Sequence, residues 1–406
     1  MDSHQLLFKN ATVFTGGSLQ PNTDVLVNEG LISAVGQGLV NNSATVIDFG
    51  GDYLIPGLID LQLYGGVQEF LNENPTPEAV RHIWLSHARR GSTTILPTMH
   101  STSLEEMQRA MAAVKVVRDE QPLQVPGIHL EGPYFNPIKR GAHRAAFVRP
   151  PAEGELEALF STNADVISIL TLAPEILSSA QREALYRLKH PRTRLSLGHS
   201  NATYAEAMQA FDEADVTGAG FPLATHLYNA MRGFESREPG IVGAIFDHAT
   251  AITSMVADGY HCDPAAIRLA HRVLGPDRLF LISDALFVPP AGVTTGPRAR
   301  FALGEFVVQY LRGTGEPGQP AYGRYGNDEG KLAGTAISLS DCLQFCVKTV
   351  GLPLLDVLRM TTEIPAKQIG LSHEIGKIDV GYTANLVRLN SPLSVQSVWV
   401  NGKPLV

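Results

Sequence analysis

Arg194-Leu195-Ser196-Leu197-Gly198-His199-Ser200-Asn201-Ala202-Thr203-Tyr204-Ala205-Glu206 begins the stretch that decides the fold, and Leu223-Ala224-Thr225-His226-Leu227 ends it. Residues Arg194–Gly198 form a mostly apolar run closed by a glycine, the pattern of a buried strand. Thr203 and Glu206 stand at capping-box spacing, where hydroxyl and carboxylate satisfy free N–H groups at a helix start. A second apolar run follows at Leu223–Leu227. Strand, capped helix and strand make a βαβ unit, whose crossover leaves the two strands parallel.

The unit repeats in both directions. Further strand candidates lie at Leu58–Tyr64, Thr94–Thr98, Gly127–Glu131, Ile167–Leu172, Ile252–Ala257 and Leu279–Ser283. Thr76-Pro77 and Asp263-Pro264 each offer an N-cap followed by proline at the first helical position, and Ser103-x-x-Glu106 repeats the capping spacing. Eight strands alternating with helices predict an α/β fold, a closed (β/α)8 TIM-like barrel over residues 55–377. The two ends differ. Leu6–Phe14, Val25–Asn28, Leu31–Val35 and Thr45–Phe49 read as strands, as do Ala384–Leu389 and Ser397–Val400 before the Asn401-Gly402 turn. Residues 1–54 and 378–406 are therefore expected to form one small β-sandwich domain from both termini. Residues 288–333 break the barrel pattern with Pro289-Pro290, Gly315, Pro317, Gly318 and Pro320 around a strand-like Phe301–Leu311, which predicts a hairpin excursion. Helices near Leu339–Thr349 and Pro353–Thr362 then complete the barrel.

At 406 residues the chain exceeds what one hydrophobic core accommodates, which suits a barrel plus a smaller domain. Hydrophobic residues make up 44% and charged residues 18%, a globular composition. The net charge of −8 argues against a nucleic-acid partner, which demands clustered Lys and Arg, but leaves room for a small anion in a local basic pocket. Met1-Asp2-Ser3-His4-Gln5 carries no basic leader, and no apolar stretch reaches the ~18–20 residues of a membrane span. A cytoplasmic protein with no membrane partner is the expectation. Cys262, Cys342 and Cys346 lack CxxC spacing and read as apolar packing in a reducing compartment.

In a parallel barrel, the active site is built at the C-terminal ends of the strands. There the chain places Glu131 in His129-Leu130-Glu131-Gly132-Pro133, His199 in Gly198-His199-Ser200, and His226 in Thr225-His226-Leu227-Tyr228-Asn229-Ala230. It also places His261 in Ala257-Asp258-Gly259-Tyr260-His261 and Asp284 in Ser283-Asp284-Ala285. A lone strand-end histidine is ordinarily a hydrogen-bonded structural group, and a lone aspartate a helix cap. Converging on one mouth, such groups are costly to keep without a cation or a reaction. Two imidazoles and one carboxylate suit Zn²⁺ or another first-row metal with a position open for water, and the aspartate is then placed to accept and return a proton. His129 points the same way as Glu131 one layer deeper and reads as support. His100 is ambiguous, and His82, His87, His190, His248, His271 and His373 read as surface groups.

Together with Pro56-Gly57-Leu58-Ile59-Asp60, Lys139-Arg140-Gly141-Ala142-His143, Arg237-Glu238-Pro239-Gly240 and Leu332-Ala333-Gly334, these strand ends resemble the N-acetylglucosamine-6-phosphate deacetylase family of the amidohydrolase superfamily, nearly end to end. The resemblance implies a divalent metal on Glu131, His199 and His226, with Zn²⁺ ahead of Fe²⁺ or another first-row ion. It implies Asp284 as catalytic acid and base, and His143 as hydrogen-bond donor to the acetyl carbonyl. Gln62, Ala142, Asn229, Ala230, Arg237 and His261 would contact a phosphosugar substrate, and Leu332, Ala333 and Gly334 would line its acetyl side. A homodimer is implied, with Arg237 reaching into the neighbouring site. The implied reaction converts N-acetylglucosamine 6-phosphate to glucosamine 6-phosphate and acetate. The galactosamine epimer is the nearest alternative substrate. A catalytically silent protein on the same fold is a more distant reading, which the intact Glu131, His199, His226 and Asp284 oppose.

One departure stands out. Many members of the superfamily carry His-x-His at the end of the first strand for a second metal, where this chain has Gln62-Leu63-Tyr64. Neutral amide and phenol oxygens are poor substitutes, so one metal per chain is expected.

Overall fold

The computed structural model describes residues 5–289, 298–303, 306–315, 320, 322–328 and 330–406. Eight strands lie hydrogen-bonded side by side in chain order: β1 (Leu58–Leu63), β2 (Ser92–His100), β3 (Ile128–Glu131), β4 (Ile167–Leu172), β5 (Arg194–Leu197), β6 (Leu223–Ala224), β7 (Ile252–Val256) and β8 (Leu279–Ile282). The ends of β8 and β1 close the ring: Asp284 N–H donates to the Gln62 carbonyl (3.0 Å), and Tyr64 N–H to the Ala285 carbonyl (2.8 Å). Ile59, Leu61, Leu96, Ile169, Leu223, Val256, Phe280 and Ile282 form one buried cluster that fills the barrel, so its centre is a packed core. The opposite faces of the strands pack under the helices.

Helix starts follow their caps. Thr76 Oγ1 accepts from Ala79 N–H (3.3 Å), Asp263 Oδ1 accepts from Ala265 N–H (2.7 Å), and Thr203 and Glu206 exchange both bonds of a capping box. Ser103 caps Glu106 N–H, but the Glu106 carboxylate turns to Arg109 (2.7 Å), leaving that box half made.

The termini assemble as expected, their strands joined in one hydrogen-bonded sheet. Strand Gln5–Phe14 pairs with Leu19–Asn28 along one edge. Along the other it meets Thr45–Asp48 and then Tyr53–Pro56, so the sheet forks there. Leu386–Leu389 continues it beyond Tyr53–Pro56. The fork encloses its own core, where Phe8 meets Trp399 edge-on with ring centroids 4.9 Å apart.

The excursion is larger than a hairpin. Arg300–Leu303, Phe306–Leu311, Arg324–Asn327 and Leu332–Thr335 form a four-stranded antiparallel sheet, of which Phe301–Leu311 supplies the first two strands. Pro290, Pro317 and Gly318 lie outside the described residues. Phe287, Phe301 and Tyr325 pack with Phe70 and Tyr64 beneath this sheet. Its last strand is tied to the end of β8, with Thr335 N–H donating to the Asp284 carbonyl at 3.0 Å. The excursion thus carries Leu332–Gly334 to the barrel mouth. Helix Leu339–Phe345 runs into a π turn at Cys346–Val350, and helices Leu354–Thr361 and Glu363–Gln368 follow. All three cysteines are buried and free. No helix among the described residues is long and apolar enough to cross a membrane.

Candidate metal centre

The chain leaves extended geometry where its chemistry begins. His199, His226 and Asp284 have positive φ (47°, 41° and 54°), a conformation costing on the order of 1–3 kcal/mol for a residue with a side chain. This explains why β5, β6 and β8 end before the apolar runs of the sequence do: the backbone turns there and swings each side chain over the mouth.

Glu131, at the end of β3, is the hub. Its Oε1 lies 3.1 Å from His226 Nε2 and 3.3 Å from His199 Nε2, and the two imidazole nitrogens are 3.1 Å apart. Ligands of a tetrahedral first-row ion, at about 2.0–2.1 Å from the metal, stand roughly 3.3 Å from one another. The triangle therefore fits such an ion without rearrangement. The chemistry fits as well. His199 Nδ1–H donates to the Lys139 carbonyl (2.9 Å), which leaves the Nε2 lone pair facing the triangle. Burial, with His143 beside it, pushes the His199 pKa down to about 4, keeping the ring neutral as a ligand must be. Burial alone would raise the Glu131 carboxyl, but the His143, His199 and His226 rings around it hold it well below the usual range.

A second convergence of His100, Glu131 and His143 shares the carboxylate. It differs in proton placement. The Ser101 N–H donates to His143 Nδ1 (3.2 Å), so that nitrogen is an acceptor and the ring proton sits on Nε2, 3.3 Å from Glu131 Oε2. A proton-bearing nitrogen offers no lone pair to a cation. It offers a donor to a substrate oxygen.

Asp284 is buried at the end of β8. Burial, reinforced by Glu131, raises its pKa against the opposing pull of His261. A carboxyl poised upward suits a group that both takes and gives a proton. Gln62, Tyr64 and the two carboxylates are knotted together: Gln62 Nε2 lies 2.9 Å from Glu131 Oε1 and 3.0 Å from Asp284 Oδ1, and Tyr64 O–H donates to Glu131 Oε2 at 2.5 Å. His261 is held by Asp258, whose Oδ2 accepts from its Nδ1–H (2.7 Å) while Oδ1 accepts from the backbone N–H of Tyr260 and His261.

These groups wall a cavity of ≈ 430 Å³. The expected Glu131, His143, His199, His226, His261, Asp284, Ala142, Asn229, Ala230, Leu332, Ala333 and Gly334 all line it. Gly334 is required as glycine: at φ 141°, a Cβ there would stand 2.7 Å from Leu286 Cγ and 3.1 Å from the Asp284 carbonyl oxygen. Gln62 is not on the wall; the Tyr64 ring takes that place, and Gln62 works behind it. Arg237 is not on the wall either. It is exposed and makes no ion pair with Glu235 or Glu238 among the described residues, and Glu238 instead accepts from the N–H groups of Tyr204 and Gly240.

Several wall residues have no role assigned from the sequence. Lys139 and Arg140 enter there only as part of a motif and Lys331 not at all, yet they add positive charge in a chain of net charge −8; His100, ambiguous in the sequence, stacks on His143 with centroids 4.2 Å apart. His129 is the supporting group expected, bonded to the Leu61 carbonyl (3.0 Å) and Thr171 Oγ1 (2.7 Å). The surface reading fails for His87 and His248. His87 is fully buried against the Gly65 carbonyl (2.8 Å), and His248 is buried beside Asp212 (3.3 Å). A larger cavity of ≈ 770 Å³ lies at the other end of the barrel, among the residues leading into β3, β4 and β5. Among the described residues it gathers no metal-ligand cluster, so volume does not mark the chemistry here.

The family model for the amidohydrolase family matches residues 53–405. The chain belongs to the amidohydrolase family. Among amidohydrolases, it is 30% identical to the N-acetylglucosamine-6-phosphate deacetylase of Vibrio furnissii, over 99% of this chain and 95% of that one. It is 31% identical to the N-acetylgalactosamine-6-phosphate deacetylase of a Shewanella species, over 98% and 96%. The solved N-acetylglucosamine-6-phosphate deacetylase from Pasteurella multocida superposes with a TM-score of 0.88 at 31% identity, covering 98% of this chain and 99% of its own.

Proposed function

We propose that this amidohydrolase removes the N-acetyl group of N-acetylglucosamine 6-phosphate, releasing acetate and glucosamine 6-phosphate. The observation that carries the reading is one wall holding three ligand atoms 3.1–3.3 Å apart, an imidazole N–H on His143 and the buried Asp284. The relatives' names supply the substrate class.

Glu131, His199 and His226 would hold one divalent ion. Zn²⁺ suits two imidazoles and a carboxylate, and Fe²⁺ is the next choice. Such an ion supplies Lewis acidity, making a water acidic and an acetyl carbonyl electrophilic. The chain's own residues do the rest. Asp284 accepts the proton of the attacking water as the C–O bond forms. His143 donates its Nε2–H to the carbonyl oxygen as negative charge develops there. The C–N bond then breaks while Asp284 returns the proton to the leaving amine. Leu332, Ala333 and Gly334 close the acetyl side and exclude bulk water.

The phosphate falls to His261 and the backbone N–H of Ala230. Arg237 completes its binding from a second copy in a homodimer. An exposed Arg237 with no ion pair among the described residues, three residues from the 63%-exposed Phe234, is the arrangement a donated arginine and its docking loop would have. The test is acetate release from N-acetylglucosamine and N-acetylgalactosamine, each with and without 6-phosphate, with metal content measured on the same sample. Fastest turnover of N-acetylglucosamine 6-phosphate at one metal per chain is expected. A faster galactosamine epimer would reassign the substrate, and no acetate from any of the four would overturn the reaction.

A further inference from the structure

We propose that Tyr64 keeps this a single-cation centre and aims its two carboxylates. The inference rests on Glu131 being a metal ligand and is independent of which sugar is cleaved. Tyr64 is buried at 2% exposure, and its hydroxyl is 2.5 Å from Glu131 Oε2, 3.1 Å from Asp284 Oδ1 and 2.8 Å from Gln62 Nε2.

A phenol has one proton to give. The shortest contact assigns it to Glu131 Oε2, and the two N–H protons of Gln62 are left to bridge Glu131 Oε1 and Asp284 Oδ1. Glu131 is thereby split in function: Oε2 is held by the Tyr64 O–H, with the His143 N–H 3.3 Å away until a substrate oxygen takes it, while only Oε1 faces His199 and His226. Freed of Tyr64, Oε2 could rotate toward the ion as a second ligand and take the position a water needs. Tyr64 also occupies the space beside Oε2 where His100 and His143 converge, its ring edge-on to His100 with centroids 4.4 Å apart. A neutral O–H there fills the space and presents no charged ligand to another cation. Gln62, bridging Oε1 and Asp284 Oδ1, keeps the base at a fixed distance from the ligand. The competing account is that Tyr64 only fills volume against Phe70 and Phe287.

Tyr64→Phe keeps the ring and removes the proton, and Tyr64→His opens the space. Each full-length chain is stripped of metal, titrated with Co²⁺ and assayed after reloading. For Tyr64→Phe, Co²⁺ affinity should fall by about 10–100-fold. Its visible absorption should weaken as coordination rises above four, and kcat should drop with KM little changed. Tyr64→His should take up more than one Co²⁺ per chain. A Tyr64→Phe chain with wild-type affinity, spectrum and kcat would leave Tyr64 a filler and overturn the inference, as would Tyr64→His holding at one Co²⁺. Failure of the wild-type chain to bind Co²⁺ at all would instead overturn the metal centre itself, which separates the two claims.

Discussion

Asp258→Asn tests how an acidic chain holds a phosphate. In the native arrangement, Asp258 Oδ2 accepts the Nδ1–H of His261 at 2.7 Å, so Nε2–H is the nitrogen left to meet an anion in the cavity. Burial works against a charged His261, yet the Asp258 carboxylate overcomes it and raises the pKa; Asp284 adds to the effect and Arg324 opposes it. Asparagine can keep the Oδ1 contacts to the Tyr260 and His261 backbone N–H groups, but it presents an amide N–H to Nδ1. The ring then carries one proton, on Nε2, and no charge. The donor to phosphate survives while its charge is lost. A charged hydrogen bond exceeds a neutral one by about 1–1.5 kcal/mol, so KM for the phosphosugar should rise about tenfold. Activity on the unphosphorylated sugar should hardly move. The pH profile carries a second signature. Because the folded pKa is raised, wild-type KM should climb as pH rises through it, and the variant should start high and stay flat. The same raised pKa contributes stability that is complete below the unfolded value of about 6.5 and lost as pH rises through the folded one, so the variant should lose most Tm on the acid side. Steady-state kinetics on both sugars, from neutral to mildly alkaline pH, decide it. A variant that loses the two substrates equally, or keeps the wild-type pH slope, refutes the reasoning.

Asp284→Asn should lower kcat by on the order of 10²–10⁴ while elemental analysis still finds the metal; more than a tenth of wild-type turnover would place the base elsewhere. His143→Gln should be milder and act on kcat more than KM, since its donor matters most as the oxyanion forms. Mixing Arg237→Ala chains with Asp284→Asn chains should restore activity if the arginine crosses a dimer interface; heterodimers confirmed by mass but inactive would exclude that. His87 gives a stability prediction of opposite sign to His261. Burial drives its pKa down to about 4 despite the Gly65 carbonyl, so the unfolded chain binds its proton first and stability is lost as pH falls from about 6.5 to about 4, on the order of 3 kcal/mol in all. His87→Gln should flatten that acid limb of the Tm profile, and an unchanged limb would assign the acid loss to other groups.

The barrel was readable because its information is local. Each βαβ unit declares itself through an apolar run, a cap and a second run, and Thr76-Pro77, Asp263-Pro264 and Thr203-x-x-Glu206 all start helices where the pattern puts them. The site was readable for a related reason: strands of one parallel barrel end on one side, so Glu131, His199, His226, His261 and Asp284 had to meet there whatever the details of packing. His87 was legible and misread. Val80, Ile83 and His87 recur at helical spacing on one buried face, a stripe that outweighs the usual preference of a histidine for the surface.

What escaped depends on contacts between distant parts of the chain. Asp258 reads locally as the cap of a turn and is one, through its Oδ1 bonds to Tyr260 and His261 N–H; only the orientation of its other oxygen makes it the partner of an imidazole. Gln62 and Tyr64 show a similar divergence. Two residues apart on a strand, their side chains share a face, and sequence alone makes them two substitutes for metal-binding histidines. Their placement relative to Glu131 and Asp284 separates them: Tyr64 stands on the cavity wall and Gln62 behind it. On the reading proposed above, a substitution that removes one pair of candidate metal ligands supplies the proton that orders another. In this site the phenol of Tyr64 lies 2.5 Å from the carboxylate we propose as a metal ligand, and its size is what lets it reach.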